Sequence, residues 1–145
     1  MKLSTKARYG VRLMLDLAIH SGQGPILLRS TADRQSISEK YLSFLAVLLK
    51  NAGLVNSVRG CHGGYSLARP ASEITIKDIV SVLEGPLCIV DCIKNSESCE
   101  RADRCIARDI WTRVNESLLK TLTCLTLEEV VKEQKACESS FAYII

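Results

Sequence analysis

Four of the chain's seven cysteines lie close together, between Cys88 and Cys105. Cys92, Cys99 and Cys105 are separated by six and five residues, in a polar stretch without helical or strand periodicity. Thiolates are soft ligands that suit zinc and iron-sulfur clusters, and a loop lets three sulfurs converge. Three clustered cysteines favour a metal centre over unligated thiols. The CxxC pair usual in zinc sites is absent, which favours an iron-sulfur cluster over zinc.

The remaining cysteines predict less. Cys88 follows an apolar helix and is either a fourth ligand or a buried thiol. Cys124 lies at the end of an apolar stripe and is predicted to be core, whereas Cys137 fits core or surface. Cys61 lies next to a histidine, and we favour a tolerated loop cysteine there over an exposed, oxidisable thiol.

Length and composition limit the class of protein. With 145 residues and 47% apolar residues, the chain can form one domain with a core that needs no disulfides. No segment has the pattern of a signal peptide or a membrane span, so we expect a cytoplasmic protein. In a reducing compartment, clustered cysteines more often bind metal or sense redox state than form disulfides.

Charge is distributed unevenly along the chain. Residues 1–62 contain nine Lys or Arg against three Asp or Glu, while the remainder has ten against thirteen. A basic N-terminal half joined to a mildly acidic C-terminal half is typical of a polyanion-binding module with an appended unit. A solvated basic face fits the charge equally well.

The first seventy residues predict a winged helix-turn-helix. A helix capped by Ser4 or its neighbour is followed by a short helix, a tight turn and a second helix that Ser38 caps and Gly53 ends. The runs LVNSVRG and YSLARP, around CHGG, then form a β-hairpin with Arg59 at its tip. We favour a DNA-binding wing, with Arg59 in the minor groove, over an ordinary surface hairpin.

The second half predicts further helices. Thr75 and Asp78 form a capping box for a helix that Gly85 ends, and apolar residues then recur every four positions from Ile106. An apolar stripe of this length must be buried against another surface. A second copy of the chain could supply that surface, or the helix could pack back on the first helix. Thr126 caps a final short helix before an apolar tail, SSFAYII, that is predicted to dock.

The predicted fold class is therefore mainly α with a small β-hairpin wing. We expect a winged-helix DNA-binding domain in residues 1–85, a cysteine-rich cluster-binding loop in 86–106, and a dimerisation helix with a C-terminal helix and tail in 107–145.

The strings KLSTKARYGVRLMLDLA, ISEKYLSFLAVLLKNAGLVNSVRGCHGGYSLAR and ITIKDIVSVLEGP, followed by the spaced cysteines, resemble the Rrf2 family of bacterial transcription regulators. The resemblance runs from Met1 to about Glu133. It implies a homodimeric repressor or activator that binds palindromic double-stranded DNA. It also implies that Cys92, Cys99 and Cys105 hold an iron-sulfur cluster, as in IscR-like members.

The resemblance also implies which residues contact DNA. Arg59 would be the minor-groove arginine, next to Gly60 at the wing tip. Ser38, Lys40 and Tyr41 would lie on the recognition helix near phosphates or bases.

This chain departs from the family in the helix-turn-helix. IscR-like members carry Glu-Gln where Ser43-Phe44 stands here, and a glycine in the turn where this chain has Ser36. Serine is weakly selective among bases and phenylalanine contacts only apolar surface. The operator sequence of IscR-like members therefore cannot be assumed for this chain. We favour Phe44 as a core residue over Phe44 as a contact to a thymine methyl group.

The fourth cluster ligand is also different. Arg108 stands where IscR-like members have a histidine, and Arg8 and Arg12 occupy helix-one positions that other members use. The fourth position is then filled by a nearby donor or by no protein group, and [2Fe-2S] is favoured over [4Fe-4S]. The candidate donors are Cys88, Asp91, Glu100, Asp103 and Asp109.

The sequence thus predicts a DNA-binding transcriptional regulator that senses cluster or redox state through three cysteines. The alternative is a winged-helix regulator without a cluster, controlled by thiol oxidation or by a protein partner, as in CymR-like members. No catalytic Ser/His/Asp set, phosphate-binding loop or carboxylate pair is present, so an enzyme is not expected.

Overall fold

The computed structural model describes residues 3–142, with side chains to residue 138. These residues are mostly helical with one β-hairpin, which confirms the predicted fold class. The elements in chain order are α1 (Thr5–Ile19), α2 (Leu28–Gln35), α3 (Glu39–Asn51), β1 (Val55–Val58), β2 (Gly64–Leu67), α4 (Ile76–Glu84), α5 (Asp91–Lys94), α6 (Ile106–Cys124) and α7 (Leu127–Ala142).

Side-chain caps begin the helices where the sequence predicts them. The Ser4 hydroxyl accepts a hydrogen bond from the Ala7 amide, so α1 begins at the expected position. Thr75 and Asp78 form the reciprocal capping box of α4, with bonds of 3.0 and 3.1 Å. Each cap satisfies amides that have no partner within their helix, which fixes the start of the element.

The core lies between α1, α3, α4 and the start of α7. Its most buried side chains come from all four helices and include Leu13, Leu45, Ile79 and Leu127. Helices α1 and α4 approach closely at Gly10, where an added Cβ would lie 2.0 Å from Leu83 Cδ1. This glycine therefore sets the distance between the two helices.

The turn of the helix-turn-helix contains a strained residue. Ser36 ends α2 in the left-handed region, at φ 52° and ψ 46°, and is the only non-glycine residue with positive φ in the described part of the chain. A side chain in this region costs roughly 1–2 kcal/mol relative to right-handed backbone. The buried Ile37 that follows holds the turn against the core.

The wing is a two-stranded antiparallel hairpin in which Val55 pairs with Leu67 and Val58 with Gly64. Ile26, just before α2, bonds to Tyr65 through both backbone groups at 2.8 Å and so adds to its edge. A Cβ at Gly64 would lie 2.6 Å from the Ile26 carbonyl oxygen. The segment before α2 is therefore joined to the hairpin at the tip-proximal end of β2, where Val58 pairs with Gly64.

Helix α6 packs along one face on α4 and the cysteine loop, and its first half exposes four large apolar side chains. The chain then returns to the core, because the Ile76 amide bonds to the Leu125 carbonyl and the Leu127 amide to the Ile74 carbonyl. The exposed apolar side chains are Ile106, Ile110, Trp111 and Val114.

Three predictions about the C-terminal part need comment. Cys124 is exposed, so its assignment to the core was wrong. The last helix, α7, is 16 residues long and not short, although Thr126 caps it as predicted. The docking of the apolar tail concerns side chains from residue 139 onward, which lie outside the described residues. Within the described range, no helix combines the length and apolarity needed to cross a bilayer.

Candidate nucleic-acid interface and cysteine loop

The first turn of α3 carries three of the predicted DNA-contact residues. Ser38 caps the helix, with its hydroxyl accepting from the Tyr41 amide at 3.1 Å, and is exposed. Lys40 is also exposed. Tyr41 is half-buried and meets Tyr9 of α1 edge to face, with ring centroids 6.0 Å apart. The structure thus presents Ser38 and Lys40 to solvent and uses much of Tyr41 for packing.

The wing carries the other two. Arg59 and Gly60 are exposed at the tip, and Gly60 has a φ of 116° that favours glycine. One groove runs between α3 and the wing, and Lys50 donates to Ser57 across it at 2.5 Å. This groove brings the tip of the wing and one side of α3 together. Its polar lining includes Glu39, Ser43, Lys50, Ser57 and Arg59.

Phe44 is not a core residue. Its exposed fraction is 50% and that of Val47 is 51%, so the expectation that Phe44 is buried was wrong. The inward face of α3 is already filled by Leu42, Leu45 and a third leucine one turn later. Phe44 instead shares the outward face with Lys40, one turn earlier on the helix.

A buried carboxylate fixes α2 against α1. Asp16 is 1% exposed and accepts from Thr31 Oγ1 at 2.7 Å and from Arg34 Nε and Nη2 at 2.9 and 2.6 Å. Burial raises the pKa of Asp16, but the hydrogen bonds from Arg34, Thr31 and Gln35 outweigh burial and leave that pKa below its ordinary value. Sequence reasoning missed this residue. The sequence pattern that could have identified Asp16 is its position three residues after Leu13, which places an acidic side chain on the apolar face of α1.

The two arginines of α1 that the sequence resemblance places at ligand positions have other partners in the structure. Arg12 donates to Gln35 through both the side-chain and the backbone oxygen of that residue. The Arg12 and Arg8 guanidinium carbons lie 5.5 and 6.0 Å from the centre of the Tyr9 ring, within cation–π range. Both arginines therefore support the packing of α1 near the helix-turn-helix.

The cysteine loop contains short helical turns, although the sequence predicts none. Helix α5 is a single turn, and two 3₁₀ turns follow it. Cys92 and Cys105 are half-buried and Cys99 is exposed, all as free thiols. Within residues 3–142, no three Cys, His, Asp or Glu side chains converge into a group that could hold a metal ion. The thiols suit a cluster chemically, but this conformation does not bring them together.

Polar side chains of α6 anchor the loop at both ends. Arg108 donates from Nε to the Cys92 carbonyl at 3.0 Å and from Nη1 to the Ala102 carbonyl at 3.3 Å. Asn115, buried two turns later, accepts from the Ile89 amide at 3.1 Å. The arginine that replaces the expected histidine thus holds the backbone around Cys92.

Of the proposed fourth ligands, Cys88 has a defined partner. Its thiol donates to the Val90 carbonyl at 3.0 Å and borders an apolar cavity of about 200 Å³ between α4 and α6. Cys61 at the wing and Cys137 on α7 are both exposed. The structure gathers none of the five proposed donors with the three loop cysteines into a metal-binding group among the residues it describes.

Comparison with known proteins gives a consistent result. Residues 3–133 match the sequence model of the Rrf2 family, which is described as an iron-dependent transcriptional regulator. The chain is 37% identical over 145 residues to the HTH-type transcriptional regulator CymR of Bacillus subtilis, covering all of both proteins. It is 38% identical over 138 residues to the regulator IscR of Xenorhabdus nematophila, which covers 95% of this chain and 84% of that protein.

Solved structures agree with the sequence comparisons. The structure of CymR, called the global cysteine regulator of B. subtilis, superposes with a TM-score of 0.80 at 40% identity and covers 92% of this chain and 98% of that one. An IscR structure from T. potens superposes with a TM-score of 0.76 at 41% identity, over 92% and 88% of the two chains.

Proposed function

This chain belongs to the Rrf2 family of winged-helix transcriptional regulators, and on that premise we propose that it binds palindromic operator DNA under the control of its cysteine loop. Its relatives are regulators and not enzymes. We assign DNA binding to residues 1–85, sensing to 86–106 and dimerisation to 107–145. Such a regulator acts in the bacterial cytoplasm, where the chromosome lies.

The groove between α3 and the wing carries the DNA-binding proposal. Ser38 and Lys40 begin the helix that would enter the major groove, and Arg59 with Gly60 forms a tip that can reach the adjacent minor groove. Tyr41 would orient the helix and contact DNA with its exposed edge. The excess of basic residues in 1–62 supplies the long-range attraction to phosphate.

In vitro selection from randomised 30-base-pair duplexes tests DNA binding directly. We expect enrichment of a two-fold symmetric sequence, and Arg59→Ala should lower affinity for it by roughly tenfold or more. Arg69→Ala, an exposed arginine of the same hairpin away from the tip, is the matched control and should change affinity little. Absence of any enriched sequence would contradict DNA binding.

A second copy of the chain would cover the exposed apolar face of α6. Ile106 is 78% exposed and the three other apolar side chains of this face are 44–51% exposed, which is unfavourable for a helix surface in water. A two-fold pair of such helices would also place two recognition helices on symmetric half-sites. Ile110→Glu should yield a folded monomer in sedimentation, and Lys120→Glu, also on α6, should remain dimeric.

For the sensor we propose an iron-sulfur cluster held by Cys92, Cys99 and Cys105. The family description names iron, and three thiols in one loop suit this chemistry. When bound, a [2Fe-2S] cluster, favoured here over [4Fe-4S], would supply a redox-sensitive group. Because the described loop does not bring the thiols together, binding requires the loop to close.

Iron, acid-labile sulfide and zinc in anaerobically purified protein test the cluster. Equal iron and sulfide, with visible absorption that is lost in Cys92→Ser, Cys99→Ser and Cys105→Ser, would support it. Cys124→Ser, an exposed cysteine outside the loop, should retain the cluster. Zinc alone, or no metal, would refute the proposed cluster, whereas the proposal of DNA binding would stand.

The second candidate is a thiol switch, or a protein partner, acting on the same loop. It is favoured by free thiols that do not converge and by full-length similarity to CymR, the global cysteine regulator of its organism. Reversible oxidation of these thiols by peroxide, with a change in DNA affinity in metal-free protein, would support the switch. An affinity that depends only on iron loading would refute it.

A further inference from the structure

The outward face of α3 combines a cation with two exposed apolar side chains. Lys40, Phe44 and Val47 follow one another at intervals of four and three residues, so they lie on the same side of the helix. All three are exposed, and Phe44 and Val47 are each about half accessible to solvent. An exposed apolar pair on the second helix of a helix-turn-helix indicates a partner surface that is partly apolar.

The Phe44 ring is held in place by a row of aromatic contacts. Tyr41 lies beside it with ring centroids 6.0 Å apart and an interplanar angle of 33°. Tyr41 in turn meets Tyr9 edge to face, and Arg8 and Arg12 lie over the Tyr9 ring. A ring supported in this way loses little conformational entropy when it binds, which suits a recognition residue.

The charge around this row identifies the occupant. Lys40 lies one turn before Phe44 on the same face of α3, and Arg8 and Arg12 lie over Tyr9 at the other end of the aromatic row. The partner is therefore expected to be anionic overall yet apolar where it meets Phe44. In the major groove of duplex DNA, the apolar group among the base edges is the C5-methyl of thymine. Phenylalanine has no hydrogen-bond donor or acceptor, so it cannot distinguish bases by any other edge group.

We propose that Phe44, supported by Val47, is a specificity-determining residue that contacts thymine methyl groups in each operator half-site. This inference rests on the proposed DNA-binding function and adds the chemical group that is recognised. It accounts for the exposure of Phe44 on the second helix of the helix-turn-helix.

Replacing thymine by deoxyuridine tests this contact, because the two bases differ only by the methyl group. The probe is the duplex selected with the wild-type protein, carrying deoxyuridine at one thymine position of both half-sites at a time. Affinity is measured by fluorescence anisotropy at fixed salt for wild type, Phe44→Ala, Phe44→Leu and Asn51→Ala. Thermal unfolding establishes that each variant is folded, which the exposure of Phe44 favours.

At one or two positions in each half-site, deoxyuridine should lower wild-type affinity by roughly threefold to tenfold. Phe44→Ala should bind the thymine and deoxyuridine duplexes equally at those positions, and Phe44→Leu should discriminate partly. Asn51→Ala, at the exposed end of α3 outside the groove, is the control and should discriminate as the wild type does.

Two results would overturn the inference while leaving DNA binding intact. One is equal wild-type affinity for thymine and deoxyuridine at every position. The other is discrimination that persists in Phe44→Ala, which would assign the methyl contact to another residue. If selection enriches no duplex, the proposed function fails and this inference fails with it.

Discussion

Arg108 of α6 donates a hydrogen bond to the backbone carbonyl of Cys92 at 3.0 Å, across sixteen residues of chain. The same guanidinium bonds to the Ala102 carbonyl at 3.3 Å, so one side chain joins two parts of the cysteine loop to the long helix. A planar guanidinium with several donors suits this bridging role better than a point charge. The backbone at Cys92 and Ala102 is thereby held to α6.

Arg108→Ala should loosen the cysteine loop without unfolding the protein. Loss of two hydrogen bonds, at about 1 kcal/mol each, should raise amide exchange in residues 92–105 by roughly tenfold or more. Arg108→Lys should raise amide exchange by an intermediate amount. Arg104→Ala replaces an exposed arginine of the same loop and should leave the exchange rates unchanged. Unchanged exchange in Arg108→Ala would show that the bridge does not order the loop.

Asp16→Asn should destabilise the fold through α2. The variant removes the charge of the buried Asp16 and leaves the exposed Arg34 without its ionic partner, which should lower the free energy of unfolding by about 1–3 kcal/mol. Asp33→Asn, an exposed acid of α2, should change it by less than about 0.5 kcal/mol. Denaturant unfolding at pH 7 measures both, and equal effects would exclude a special role for Asp16.

The Asp16 effect should depend on pH. Because the pKa of Asp16 in the fold lies below its ordinary value, the ionised carboxylate stabilises the fold above the ordinary range, near pH 4, and this contribution disappears as pH falls through the folded pKa. The stability difference between wild type and Asp16→Asn should therefore shrink on acidification below about pH 4. A difference that stays constant or grows would contradict this assignment.

Ser36→Gly should stabilise the protein. Glycine relieves the left-handed strain at φ 52°, and after the entropy it adds to the unfolded chain the net gain should be up to about 1 kcal/mol. Ser36→Val should instead lose roughly 1–2 kcal/mol, because a β-branched residue fits this region poorly. The midpoint temperature of thermal unfolding should be highest for Ser36→Gly, intermediate for the wild type and lowest for Ser36→Val. Any other order would contradict backbone strain at Ser36.

Gly10→Ala should destabilise the protein although alanine favours helices. The added methyl meets Leu83 Cδ1, and this overpacking should cost about 1–3 kcal/mol. In a Leu83→Ala background the clash is absent, so the same change should become stabilising by roughly 0.5–1 kcal/mol. A double-mutant cycle measures this reversal of sign, and additive effects would show that α1 and α4 do not meet there.

Local signals explain why much of the fold is predictable from the sequence. Ser4, Ser38 and Thr75 each precede an amphipathic run and cap the helix that follows, and capping needs only neighbouring residues. The hairpin followed likewise from β-prone runs around a glycine-bearing tip. The groove between α3 and the wing follows from the order of these elements along the chain.

The burial predictions that were wrong concern which face of a helix meets the core. Phe44 is apolar in type, but leucines already fill the inner face of α3. Cys124 is exposed in the last turn of α6, a helix in which Asn115 is the buried residue among those described. A stripe that repeats every four residues drifts around a helix of 3.6 residues per turn, so in α6 Ile110 is exposed while Leu118 is half-buried. Asp16 was missed because its partners are fifteen or more residues away.

If the cysteine loop controls DNA binding, as proposed, the affinity of the protein for its selected duplex must depend on the state of the loop. The same anaerobic preparation is measured before and after iron removal or peroxide treatment, with the Cys92→Ser/Cys99→Ser/Cys105→Ser variant alongside. We predict a change of roughly fivefold to a hundredfold in the wild type and none in the variant. Equal wild-type affinity in all states, with the same operator bound, would contradict the claim.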